Sequence, residues 1–124
     1  MLLVFGLLLS GCRPPQDRAA SAIPEGMTGR IELQGEPVIG TVPVVVYLLD
    51  GTEGVTGASV SVTGDMTHAG MVPVIRAAAE AEPGLYVAHD FEFDMGGDWF
   101  VTAEVTLRNG EQFELAVPAS VSSR

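Results

Sequence analysis

The chain has 124 residues, enough for one small domain, and carries 16 acidic against 6 basic side chains for a formal charge of −10. That balance excludes a phosphate-binding surface, because nucleic-acid contacts need clustered cations; no nucleic-acid partner is expected. A single cysteine, Cys12, excludes an intramolecular disulfide, a CxxC redox pair and any Cys-based zinc or iron–sulfur centre.

In chain order, residues 2–9 form an almost unbroken apolar run, too short to span a bilayer as a mature helix but suited to the apolar core of a secretory signal peptide. The run ends in Leu9-Ser10-Gly11-Cys12, which resembles the lipobox of bacterial lipoproteins. That resemblance implies a signal peptide over 1–11 and a lipidated N-terminal Cys12. Its acyl chains, at about 0.8 kcal/mol per buried methylene, would hold the protein stably on a membrane. No Lys or Arg precedes the apolar run, a departure from the basic n-region of such signals. The competing reading is a short N-terminal core helix, which the RPPQDR that follows would break at once. Arg13 stands where an aspartate retains some lipoproteins at the inner membrane. The expected location is therefore extracytoplasmic and membrane-anchored, on the periplasmic face or the cell surface. The anionic domain would be repelled by anionic headgroups, so the anchor supplies the attachment.

Residues 12–26 hold the cysteine and a Pro-rich, non-periodic stretch, RPPQDRAASAIPEG, that reads as a flexible tether. Its coil-like length spans roughly 20 Å r.m.s.. From 27 to 124 the pattern is strand-like. Segments 27–33 and 42–49 are β-rich, with Pro43 placed at a strand start or sheet edge. Segment 58–63 alternates, with Val60 and Val62 on one face. Segment 72–82 has helix formers, yet it is short, follows Pro73 and stops at Pro83-Gly84; a strand is the favoured reading and a helix the alternative. Segment 84–93 reads as one strand whose inward phase switches between Tyr86/Ala88 and Phe91/Phe93, which predicts a bulge near His89-Asp90. Segment 99–107 points Trp99, Val101, Ala103, Val105 and Leu107 one way. Asn109-Gly110 marks a tight hairpin turn, and 111–117 returns with Phe113, Leu115 and Val117 inward. About seven half-buried antiparallel strands predict an all-β, immunoglobulin-like β-sandwich with Trp99 at its centre.

Catalysis has little support: there is no GxSxG elbow, no Walker or Rossmann phosphate loop, and only two histidines. The expectation is a non-enzyme. The segment GDMTHAGM, residues 64–71, is the exception to a plain composition. Met66, His68 and Met71 offer two thioethers and an imidazole, a donor set that selects Cu(I) over hard cations. Gly64 and Gly70 would let the backbone fold so that the three converge. Met95 in DMGGDW could supply a fourth ligand if its loop lies at the same end, and His89 is a weaker candidate. The alternative is that the methionines fill an irregular core and that the histidine is solvated. Asp65, Asp90, Asp94 and Asp98 read as turn formers, and Tyr86 as a structural tyrosine of the kind that pins the corner of Greek-key sandwiches.

The elements GASVSVTGDMTHAGM, PGLYVA and FDMGGDWFVTAEV together resemble the YtkA-like domain, related to FixH-type proteins, over residues 57–105. The resemblance implies an extracytoplasmic module of immunoglobulin-like fold with links to copper handling and haem–copper oxidase assembly. By position it puts Met66, His68 and Met71 in the family's Met/His loop and Met95 in its Met-Gly-Trp segment. A lipid anchor stands here where FixH-type proteins have a membrane-spanning helix. The function expected is a copper-binding or copper-delivery lipoprotein acting on a copper-accepting envelope protein; the alternative is a non-metal envelope interaction module.

Overall fold

Alternation with a period of two decides most of the architecture, because each strand must bury one face and leave the other in water. A computed structural model describes residues 22–66 and 72–123. Its strands are β1 (Met27–Leu33), β2 (Gly40–Thr41), β3 (Val44–Asp50), β4 (Glu53–Gly54), β5 (Ser59–Met66), β6 (Val74–Glu82), β7 (Leu85–Ala88), β8 (Glu92–Phe93), β9 (Gly97–Thr106) and β10 (Gln112–Val121). Among the described residues every element is a strand, and no helix is long and apolar enough to cross a membrane.

The main sheet runs β1-β3-β7-β6-β5-β9-β10, all neighbours antiparallel, with β4 paired to β3. This is the immunoglobulin order, an A-B-E-D layer facing a C-F-G layer. The two layers are joined through β6, which pairs with β5 over Val74–Ala78 and then with β7 from Ala79 onward, its register shifting between Glu80 and Glu82. At the far edges β1 and β10 approach each other: a Cβ on Gly29 would lie 2.9 Å from a Leu115 methyl. The domain is thus a β-sandwich close to a closed barrel.

The predicted inward row of β9 is buried throughout, from Trp99 to Leu107, and so are Val60 and Val62 on β5. Segment 72–82 is a strand, because hydrogen bonding to a neighbour on each side overrides the helix preference of its alanines. In the β10 row Phe113 is fully buried, whereas Leu115 and Val117 are only partly so, since they line the seam with β1. The Asn109-Gly110 turn forms as expected. Gly110 has φ +95°, the Asn109 carboxamide accepts from the Glu111 N–H at 2.9 Å, and Leu107 N–H donates to the Glu111 carbonyl at 2.8 Å.

One expectation is corrected. Segment 84–93 is not a single bulged strand. β7 stops at Ala88, a turn occupies His89-Asp90, and β8 leaves the main sheet to pair with β2. The reason is packing. Phe91 and Phe93 fold over the end of the core, stacking edge-to-face on each other at 5.2 Å and, through Phe93, on Trp99 at 5.0 Å. A continuous strand would have carried those rings past the end of the core.

Tyr86 is fully buried, and its hydroxyl donates to the Val55 carbonyl at 2.8 Å and accepts from the Ala58 N–H at 3.2 Å. It pins the connection between β4 and β5, as a structural tyrosine should, but from strand position E. Burial raises its pKa above the ordinary phenol value, and the Ala58 hydrogen bond works in the opposite direction.

Candidate functional site

The strand directions sort the connections into two ends. The chain enters at one end, where the Gly51 N–H donates to the Gly26 carbonyl and Met27 lies opposite Asp50. The 51–58, 83–84 and 107–111 connections share that end. The end of β5 at Met66, the start of β6 at Val74, the turn after β7, the loop between β8 and β9, and the end of β10 all lie at the other, distal end. With a ten-residue β10 joining them, the ends stand roughly 30 Å apart.

Met66 closes β5 and lies opposite Trp99 on β9. It is half-buried and packs on the core. Its methyl lies 2.7 Å from where a Cβ on Gly97 would stand, a flexible end that could shift, and it is the φ of +131° at Gly97 that favours glycine there. Met95 lies in the loop between β8 and β9 with its side chain 48 % exposed, and its carbonyl accepts the Trp99 indole N–H at 3.0 Å. Trp99 therefore ties the two methionine-bearing segments together: it is cross-strand from one and hydrogen-bonded to the backbone of the other. The loop that carries Met95 therefore lies at the same end as Met66. His68 and Met71 lie outside the described residues, as does Cys12.

The part given to Gly64 is corrected. It is an extended residue inside β5, paired with Val74 and Val101, and bends nothing. A Cβ there would come within 2.5 Å of the Phe91 ring and 3.3 Å of the Trp99 ring, so glycine makes room for the aromatic stack beneath the methionines. The carboxylates at this end also divide. Asp90 is in the turn and Asp94 in the loop, but Asp65 and Asp98 are strand residues, and Asp98 accepts a hydrogen bond from Ser120 at 3.1 Å. His89 is exposed in the turn after β7. Among the described residues no three His, Cys, Asp or Glu side chains are grouped to hold a metal ion. The soft donors that the described residues bring to the distal end are the Met66 and Met95 thioethers.

Sequence reasoning missed three features of this end. The Phe91–Phe93–Trp99 stack supports it, and its signal was the phase change after Ala88. Gly97 accommodates Met66, and its signal was the paired glycine before Trp99. Phe100, the next residue after Trp99, breaks the alternation by presenting a ring to solvent. A separate depression of about 440 Å³ lies towards the entry end, lined by Arg30, Tyr47, Leu49, Pro83 and Leu85 among others. There the Arg30 guanidinium sits 4.1 Å over the Tyr47 ring and pairs with Glu32 at 3.2 Å. The Tyr47 hydroxyl donates to Glu32, which raises its pKa. That arrangement satisfies itself and gathers no reactive groups.

The family model described as YtkA-like matches residues 22–104. The chain belongs to the YtkA-like family. The match runs from the entry segment through β1 to Glu104 on β9, so it takes in the whole distal end except the last part of β10. It also reaches well before residue 57, where the sequence resemblance began. No curated protein and no solved structure matches the chain.

Proposed function

We propose that this YtkA-like domain is a membrane-tethered, extracytoplasmic copper-binding or copper-delivery protein, with Met66, His68 and Met71 as Cu(I) ligands and Met95 as a fourth. The observation that carries this reading is the convergence at Trp99, which brings the Met66 strand end and the Met95 loop to one end of the sandwich. Two thioethers and an imidazole in an eight-residue stretch, joined by a third thioether from another loop, make a donor set soft enough for Cu(I). Copper is here cargo: held by exchangeable thioethers, it would pass by ligand exchange to an acceptor at the same membrane. The protein's role is binding, not catalysis. Anchorage through Cys12 would enter the domain at the opposite end, leaving the methionines turned away from the lipid surface.

A competitive Cu(I) titration of residues 22–124 against a chromophoric chelator tests this, beside the Met66→Ala/His68→Ala/Met71→Ala variant. One tightly bound equivalent, lost in the variant and weakened about tenfold by Met95→Ala alone, is expected. Equal binding by the wild type and the triple variant, or no binding by either, returns the methionines to packing and leaves a tethered interaction module.

A further inference from the structure

Exposure of large hydrophobic side chains among the described residues is concentrated at one end. Among the described residues six large hydrophobic side chains are exposed, and five of them, Ile39, Val72, Ile75, Met95 and Phe100, lie at the distal end; Leu49 alone lies towards the other. Val72 is 80 % exposed, Ile75 57 % and Phe100 48 %. Scattered single hydrophobics are ordinary, but a gathering at one end of a small acidic domain is not. One of them, Phe100, interrupts an outer row that is otherwise Asp98, Thr102, Glu104 and Thr106, and another, Ile75, heads an outer row of alanines. Phe100 stands on the outer face of β9 between Asp65 and Pro118, and Ile75 stands on β6 opposite Thr63. Ile39 is held by its N–H on the Ser122 carbonyl at 3.2 Å, which places it beside the end of β10.

The charge around these side chains is mostly negative. Asp65, Asp94 and Asp98 are exposed at the same end. The one Lys or Arg there among the described residues is Arg76, 3.6 Å from the Asp90 carboxylate. Arg30 is midway along β1, and Arg108 is beside the turn at the entry end. We infer that the distal end is a docking surface for a basic protein face, one on which arginine or lysine side chains surround apolar ones. A second copy of this chain would present the same acidic rim and be repelled, and anionic lipid or nucleic acid would be repelled likewise. Apolar anchors inside a charged rim are the usual anatomy of a specific interface, with the rim setting orientation and association rate. The inference does not rest on copper: none of the side chains carrying it is a ligand except Met95, and the surface is complete without that one.

The test uses the full chain in its own membrane. A photo-reactive phenylalanine analogue is placed in turn at positions 75 and 100, and as controls at position 49 towards the entry end and position 104 on the outer face of β9. Positions 75 and 100 are expected to give the same protein adduct, at least fivefold above positions 49 and 104. The cross-linked peptide of the partner should carry arginine or lysine around apolar residues. Combining the position-100 analogue with Asp65→Asn and Asp98→Asn should lower its yield several-fold, as should raising the salt from 0.05 M to 0.5 M. Adducts of equal yield at all four positions, no adduct at 75 and 100, or an adduct to lipid, to a second copy or to an acidic partner surface would overturn the inference. Copper binding is not read in any arm, so its failure and this one remain separate results.

Discussion

At the entry end, one buried aromatic residue closes the sandwich: the Tyr86 hydroxyl bridges the Val55 carbonyl and the Ala58 N–H, and Gly54 and Gly84 let two turns meet backbone to backbone. At the distal end Trp99 has the corresponding task, its indole N–H on the Met95 carbonyl and its ring under Phe93. The first end then stops, with its turns joined by the Gly84 N–H on the Val55 carbonyl and the Val55 N–H on the Leu48 carbonyl and, of the exposed large hydrophobics among the described residues, only Leu49 on its side of the sheet. The second continues past its anchor into thioethers and exposed hydrophobics. Closing an end of the sandwich does not require such a surface, as the entry end demonstrates. The distal side chains that do nothing for closure are therefore the ones to assign to function.

The largest effect that can break this comparison is removal of the distal anchor. Trp99→Ala deletes a fully buried ring, its stack on Phe93 and the hydrogen bond that fixes the Met95 loop. A loss of about 3–5 kcal/mol in unfolding free energy is expected by denaturant titration, with an unchanged m-value. A loss under about 1 kcal/mol would mean that the distal end does not depend on Trp99 and that the two ends are not equivalent closures.

Strand positions were readable wherever the burial is local. Trp99 to Leu107 alternates because a single sheet face covers the whole row, and the Asn109-Gly110 turn carries its conformation in its own residues. Features set by distant residues were not readable. The need for glycine at position 64 comes from Phe91, 27 positions on, and only folding brings the two together. The break after Ala88 looked like a bulge because the phase change was visible but the partner strand, β2, was not. The service of β6 to two layers also leaves no mark in its alanines. For the candidate site, the residue types pointed to soft-metal chemistry at once. The placement of the Met95 loop at the same end as Met66 depends on the β5–β9 register and on an indole hydrogen bond, which no spacing encodes.

Two glycines sharpen the contrast between the ends at intermediate size. At the entry end a Cβ on Gly54 would run into the Pro83 carbonyl and lie 2.8 Å from the Gly84 nitrogen, so backbone would have to move. At the distal end a Cβ on Gly64 would meet the Phe91 and Trp99 ring edges, and a ring can turn. Gly54→Ala should therefore cost about 3 kcal/mol and Gly64→Ala about 1–2 kcal/mol by thermal or chemical unfolding. The reverse order would show the aromatic stack to be as unyielding as the main chain.

The smallest effect separates the anchors by pH. Tyr86→Phe removes the donation to Val55, whose carbonyl keeps the Gly84 N–H at 3.0 Å, and leaves the Ala58 N–H without its partner. A loss of about 1–2 kcal/mol at neutral pH follows. Burial raises the Tyr86 pKa in the folded state, so the folded protein keeps this proton longer than the unfolded chain does. The stability linked to it is complete below the unfolded phenol value near 10 and is lost as pH rises through the higher folded value. Tyr47 is also raised, through its hydrogen bond to Glu32, and adds to the alkaline loss of both proteins alike. The difference between wild type and Tyr86→Phe should thus be flat from pH 6 to about 9 and shrink above about 10, whereas the cost of Trp99→Ala, which removes no titrating group, should stay constant over the same range. A Tyr86→Phe difference that persisted undiminished to pH 11 would mean that the phenol ionises as easily in the folded protein as in the unfolded chain, and that burial does not hold its proton.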